Sequence, residues 1–173
     1  MKKKPKKYKR TKFPENILEE PAVAYSSATA LVKNPFALMG FTHEKAYEGM
    51  PDSTDFIAHI RAGIPKKALD YLAGIIGFSD IEMAEILHTS DRTLRRYTPS
   101  QKLNAEQSER IIELARLYTR GAEVFDDLDQ FKTWMFTPVD ALGAKRPKEF
   151  LDTSIGIGLL MEELGRIEHG IFA

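Results

Sequence analysis

The chain contains no cysteine, which excludes disulfides, thiol nucleophiles and cysteine-type zinc fingers. It has no apolar run approaching the about 18 residues that a membrane helix requires. Its basic start is not followed by an apolar stretch of signal-peptide type. A soluble, cytoplasmic protein with no membrane contact is therefore expected. A catalytic constellation is also lacking. The histidines His43, His59, His88 and His169 are scattered, without metal-ligand spacing. Asp126, Asp127 and Asp129 cluster, but they read as a helix start. They lack the alternating ligands and the glycine of a calcium loop. Neither an enzyme, a metal site nor a cofactor is expected. The sequence also lacks a repeat of fixed period and any convincing strand.

Net charge is absent too, with 25 Lys+Arg against 25 Asp+Glu in 173 residues. The balance is not local. Residues 1–12 carry +8, residues 13–60 carry −5, residues 61–120 carry +2 and residues 121–173 carry −5. Basic segments that can meet phosphate thus precede an acidic C-terminal part that phosphate repels. Residues 1–12 (MKKKPKKYKRTK) cannot bury apolar surface. They form either a solvated tail or an arm that adds salt-sensitive, sequence-independent affinity for nucleic acid.

What is present reads as helices. Residues 22–32 fit a short helix with Pro21 near its first turn and Asn34-Pro35 stopping it. Gly49-Met50-Pro51-Asp52 is a turn, and residues 13–51 form a linker or a packing arm. Phe56, Ile57 and Ile60 recur at helical spacing until Gly63-Ile64-Pro65. A second helix places Ala68, Leu69, Leu72, Ile75 and Ile76 on one side and stops near Gly77. Others start at Ser79 and Ser90. A long helix runs from Asn104 to about Val124 with a stripe of Ile111, Leu114, Ala115 and Tyr118. Residues 127–136 form another, Pro147 starts a short one over residues 148–151, and residues 153–169 form the last, closed by Gly170. The fold class is all-α. Three regions are expected: a basic, flexible segment over 1–52, a helix-turn-helix domain over 53–124 and a small helical domain over 125–173.

Residues 79–97 carry the pattern of a helix-turn-helix. Ser79 and Glu82 have capping-box spacing. Ala84 is small where two helices cross, and Ile81, Met83 and Leu87 supply apolar contacts. His88 stands in the turn where glycine is common, which demands positive φ of a residue type that tolerates it. Ser90 caps the second helix, and Leu94 and Tyr97 face inward. That leaves Ser90, Arg92, Thr93, Arg95 and Arg96 to contact DNA, since Arg bonds guanine bidentately and Ser or Thr bonds base edges or phosphate. Thr98-Pro99 ends this recognition helix within about two turns.

Residues 60–173 resemble the Xre/MbcA/ParS-type antitoxins. The resemblance runs through Arg61-Ala62-Gly63-Ile64-Pro65, Thr93-Leu94-Arg95-Arg96 and Leu103-Asn104-Ala105-Glu106-Gln107-Ser108-Glu109-Arg110. It continues through Trp134, Pro138, Leu142-Gly143, Arg146-Pro147, Leu151-Asp152-Thr153, Gly156 and Leu164-Gly165-Arg166-Ile167-Glu168-His169-Gly170. The chain departs from the family at His88, at Ala144 in place of a second glycine, and at Gly156 and Gly158 in the last helix. The resemblance implies an Xre-like helix-turn-helix domain that dimerises and binds operator DNA, followed by a toxin-binding domain. The partner it implies is a RES-domain toxin, resembling ADP-ribosyltransferase-fold enzymes and consuming NAD, whose pocket the antitoxin's C-terminal end covers.

The residues agree physically with such an end. Arg166, Glu168 and His169 lie on or beside the last turn, and Ile171, Phe172 and Ala173 are apolar. Arg146 can add a charge-assisted bond to a partner. Arg146, Arg166, Glu168, His169 and Phe172 are the expected toxin-binding residues, while Ile167 folds back onto the chain itself. Trp134, Phe131 and Phe136 build the core of this part. Gly156 and Gly158 permit close helix approach; no strand precedes them, so no dinucleotide loop is implied. The expected assembly is a homodimer or a higher hetero-oligomer with toxin. Two rivals stay open: a stand-alone dimeric helix-turn-helix regulator, and an interaction protein whose helix-turn-helix has lost DNA binding.

Overall fold

A computed structural model of the chain describes residues 34–41 and 52–170. Among these residues eight α-helices follow in order: α1 (Pro35–Leu38), α2 (Ser53–Ala62), α3 (Lys66–Ile76), α4 (Asp80–Ile86), α5 (Asp91–Arg96), α6 (Ala105–Val124), α7 (Leu128–Phe136) and α8 (Ser154–Glu168). Two 3-10 turns, Asp140–Leu142 and Pro147–Phe150, lie between α7 and α8. The only β pairings among the described residues are the isolated bridges Pro65 to Lys102 and Val139 to Lys145. The chain is all-α, as expected.

Short polar side chains fix most helix starts by accepting the first free backbone N–H groups. Asp52 caps α2, Asn104 caps α6, Asp127 caps α7 and Thr153 caps α8. Asn34-Pro35 starts a helix that the sequence pattern did not show. The Asn34 side chain accepts the Phe36 N–H at 2.9 Å and Pro35 occupies the first turn of α1. A proline there loses no bond, because that N–H has no intrahelical partner. The helix expected over residues 22–32 and the basic residues 1–12 lie outside the described residues.

α6 organises the core. It buries Ile111, Ile112, Leu114, Ala115, Leu117 and Tyr118 and packs against α1, α2, α7 and α8. One continuous apolar cluster joins Phe36, Leu72, Ile76, Met83 and Leu94 to Phe131, Leu160 and Leu164. Burying each large apolar side chain contributes about 1.5–3 kcal/mol. Phe36 and Phe131 are fully buried, so the short helix α1 is a working part of the core. Phe131 lies edge-on to Tyr118 at 5.1 Å and stacks on Trp134 at 5.6 Å. Gly121 makes this possible, since a Cβ there would come within 2.5 Å of the Phe131 ring.

Three apolar residues that the sequence pattern placed on helix faces or in the core are exposed. Ile57 is 43% exposed and Ile81 is 55% exposed. Both sit at the edge of their helix's apolar face, left uncovered among the described residues. Phe136 is 38% exposed, although its ring still meets Phe78 edge-on at 5.8 Å and lies beneath the Lys148 ammonium at 4.5 Å. Trp134 is half-buried, and the short helix after Arg146 is a 3-10 turn that begins at Pro147 itself. After Gly143, Ala144 takes φ 59. This is the left-handed region that favours glycine.

Candidate functional site

The helix-turn-helix is formed by α4, residues 87–90 and α5. Ser79 Oγ accepts the Glu82 N–H at 3.3 Å, while Glu82 Oε2 accepts the Ser79 N–H at 2.9 Å. The Ser79 N–H holds the Glu82 carboxyl below its usual pKa. The Ser79 hydroxyl and the Lys148 ammonium act the same way, against an opposing effect of partial burial. His88 adopts φ 50, as its turn position demands. Its Nε2 lies 2.8 Å from the Asp152 carbonyl oxygen, far along the chain.

Leu94 anchors α5 in the core and Tyr97 packs against it half-buried. The outward residues differ in what they can offer. Arg92 and Arg96 are exposed and have no ion pair among the described residues. Arg95 sits between Asp91 at 3.3 Å and Asp80 at 3.8 Å, so its charge is partly answered within the motif. Ser90 and Thr93 bond each other, with Oγ to Oγ1 at 2.8 Å, and Ser90 Oγ also accepts the Thr93 N–H at 3.1 Å. Their first role is to cap α5.

The C-terminal candidates separate as well. Residues three or four apart share one face of a helix. On α8 the buried side holds Ile157, Leu160 and Leu164. Ile155, Gly158, Glu162 and Arg166 share the opposite, outward side, with His169 one turn beyond. The Arg166 guanidinium donates to the buried Glu163 carboxylate at 3.0 Å while its side chain stays 45% exposed. Glu168 points elsewhere and forms an ion pair with Arg120 of α6. Arg146 is exposed, and its backbone N–H donates to Glu149 at 3.2 Å. Ile167 is half-buried. Phe172 lies outside the described residues.

Beside Arg120 opens a groove of about 360 Å³ whose walls include Asp52, Phe56, Arg116, Glu123 and Met161. Arg116 stacks over Phe56 at 5.4 Å. Sequence reasoning gave no hint of this groove, because its walls come from four helices, α1, α2, α6 and α8, spread along the chain. Its two arginines face two carboxylates, so it favours neither sign of ligand. Among the described residues no group of His, Asp and Glu is placed to hold a metal ion. No helix among them is long and apolar enough to cross a membrane.

A capped helix-turn-helix packed through one long helix against a small helical unit defines a two-part helix-turn-helix protein. Residues 55–116 match the antitoxin Xre-like helix-turn-helix domain. Residues 120–170 match the antitoxin Xre/MbcA/ParS C-terminal toxin-binding domain. The chain is 33% identical over 132 residues to an antitoxin Xre of Yersinia enterocolitica, a match covering 72% of this chain and 87% of that protein. It is 26% identical over 143 residues to a Prs ADP-ribosylating antitoxin of Sphingobium sp., covering 77% of this chain and 89% of that one. A chain in the crystal structure of the M. tuberculosis MbcT–MbcA toxin–antitoxin complex is 26% identical, with a TM-score of 0.45, and the match covers 58% of this chain and 90% of that chain. The protein belongs to the Xre/MbcA/ParS antitoxins. It is an antitoxin of a toxin–antitoxin system, with a toxin-binding domain at its C-terminal end.

Proposed function

We propose that this antitoxin binds and blocks a RES-domain toxin that consumes NAD, and represses its own operon through the helix-turn-helix. Its role is binding, without catalysis or a cofactor, in the cytoplasm where NAD and the operator are found. In this reading residues 1–52 are a basic arm, 53–124 read DNA as part of a homodimer, and 125–173 engage the toxin. The observation that carries the toxin side is the match of residues 120–170 to a toxin-binding domain, on which Arg166 and His169 stand on the outward face of α8. Arg146, Glu168 and Phe172 complete the proposed contacts, with Glu168 first leaving Arg120. The relative named a Prs ADP-ribosylating antitoxin is in keeping with a partner of ADP-ribosyltransferase type. On the DNA side, Arg92 and Arg96 meet the operator directly. Arg95 contributes less while Asp80 and Asp91 hold it, and Ser90 and Thr93 act from the cap.

The test is co-expression with the product of the neighbouring gene, expected to be a RES-domain protein, followed by co-purification and an NAD assay. The expected result is a stable complex in which NAD depletion stops. Deletion of residues 166–173 should restore depletion. A RES protein that depletes NAD equally in the presence of the folded chain would refute the toxin assignment. Absence of any salt-sensitive affinity for the upstream DNA would refute the repressor assignment.

A further inference from the structure

The outward face of α8 has a composition that packing among the described residues does not explain. Ile155 is 88% exposed, the most exposed large apolar side chain among the described residues; the next, Ile81, reaches 55%. An isolated exposed apolar residue is ordinary, so its setting decides. One turn further along the same face stands Gly158. A Cβ built there meets nothing within 4 Å. The contrast is Gly156, where a Cβ would overlap the carbonyl oxygen of Phe150 and lie 2.9 Å from its carbonyl carbon. Packing requires Gly156 to be glycine and leaves Gly158 unexplained. Glycine inside a helix costs stability relative to alanine. Among the described residues nothing at Gly158 offsets that cost, whereas the backbone of a second molecule could approach closely there.

We propose that this face, built on Ile155 and Gly158 and continuing through Glu162 and Arg166 to His169, is where the toxin seats. The inference rests on the toxin-binding reading of residues 120–170 and names the surface within it. Two observations select the toxin as occupant. The face lies within the stretch that matches a toxin-binding domain. It is also continuous with the proposed contacts, since Arg166 and His169 stand on it and the sequence runs on through Gly170 into Ile171, Phe172 and Ala173. The face calls for a partner with an apolar depression for Ile155 and backbone close to Gly158. The buried Glu163 fixes the Arg166 guanidinium at 3.0 Å, which leaves its remaining N–H groups set for a carboxylate or carbonyl on that partner.

The experiment measures toxin affinity of the full chain by calorimetry, with Ile155→Asp, Gly158→Leu and, as a control, Ile81→Asp on α4. Ile155→Asp and Gly158→Leu should each weaken toxin binding by about ten-fold or more, as loss of an anchor at the centre of an interface does. Their melting temperatures should stay at or above that of the parent, because neither site is packed. Ile81→Asp should bind like the parent. Affinities within about two-fold of the parent for both variants would overturn the proposal, two-fold being small beside an anchor's contribution. So would variants that split a homodimer yet bind toxin normally, since the face would then belong to a second copy. If the unmodified chain failed to bind the toxin at all, the toxin-binding reading itself would fall, a different and separately visible result.

Discussion

Gly156 and Gly158 are two residues apart on α8, and the same substitution at each should act in opposite directions. At Gly158 a methyl group enters open space. Alanine there raises helix propensity and should stabilise the protein by about 0.5–1 kcal/mol. For a chain of this size that corresponds to a rise in Tm of roughly 1–4 °C. At Gly156 the new Cβ overlaps the Phe150 carbonyl oxygen and approaches Thr153 Oγ1 to 2.9 Å. That carbonyl belongs to the Pro147–Phe150 turn and Thr153 caps the helix, so neither yields like the end of a flexible side chain. The oxygen must retreat by more than an ångström to restore ordinary contact at about 3.5 Å. Overpacking of this kind costs about 1–3 kcal/mol, more than the propensity gain. The net cost of about 0.5–2 kcal/mol should lower the Tm of Gly156→Ala by roughly 1–8 °C. Thermal and urea unfolding of the two variants beside the parent decides the matter. Shifts of the same sign would show that the turn does not press on α8 as described.

Arg92→Ala and Arg96→Ala should each weaken operator binding and reduce the salt slope by about 1, with a smaller effect for Arg95→Ala, whose charge is shared with Asp80 and Asp91. Fluorescence anisotropy across a salt series measures this, and equal losses at all three would contradict it. The Glu82 carboxyl has its pKa lowered in the fold from about 4.5. Its contribution is present above the unfolded value and lost as the pH falls through the folded one. Glu82→Gln should thus lower Tm near neutral pH, with parent and variant curves converging in acid; a constant difference at all pH would refute it. Tyr118 has a buried hydroxyl without a hydrogen-bond partner among the described residues, and burial together with the charge of Glu82 pushes its pKa upward. Tyr118→Phe removes an unsatisfied group and should leave stability unchanged or raise it by about 1 kcal/mol, whereas a loss of that size in urea unfolding would reveal a partner.

Local chemistry made most of the helices legible. The caps at Ser79, Ser90, Asn104 and Asp127 sit where a short polar side chain precedes an apolar-periodic run, and Gly170 with φ 65 follows the last turn. Periodicity likewise found the α6 stripe. What stayed hidden depends on partners far along the chain. α1 is four residues long, too short for any period to show, so the burial of Phe36 gave no signal. Periodicity identifies a helix face but not how far a neighbour covers it, which is why Ile81 and Phe136 are more exposed than their spacing suggests. Gly156 and Gly158 look alike in sequence and differ only because the Phe150 carbonyl meets one of them. Arg166, Glu168 and His169 read as one cluster, yet Arg120 draws Glu168 aside, across a separation that no local pattern encodes.

The His88 substitution gains its meaning from the same long-range geometry. Glycine would satisfy φ 50 with less strain, but it would have no ring to reach the Asp152 carbonyl. Close by, the Glu82 that closes the α4 cap is bonded to Lys148 at 3.2 Å, and Lys148 also covers the Phe136 ring that meets Phe78. The helix-turn-helix is thus tied at its turn, its first cap and its apolar edge to the segment between α7 and α8. The two family matches end and begin at residues 116 and 120, both inside the unbroken helix α6. A partner that displaces α8 or the Pro147–Phe150 turn therefore acts on the helix-turn-helix through packed side chains and a continuous helix, not across a linker. If the chain binds an operator as proposed, whatever factor a bound toxin imposes on operator affinity, the operator must impose the same factor on toxin affinity. His88→Gly should bring that shared factor closer to one, read as toxin affinity with and without operator DNA, while leaving the turn itself able to form.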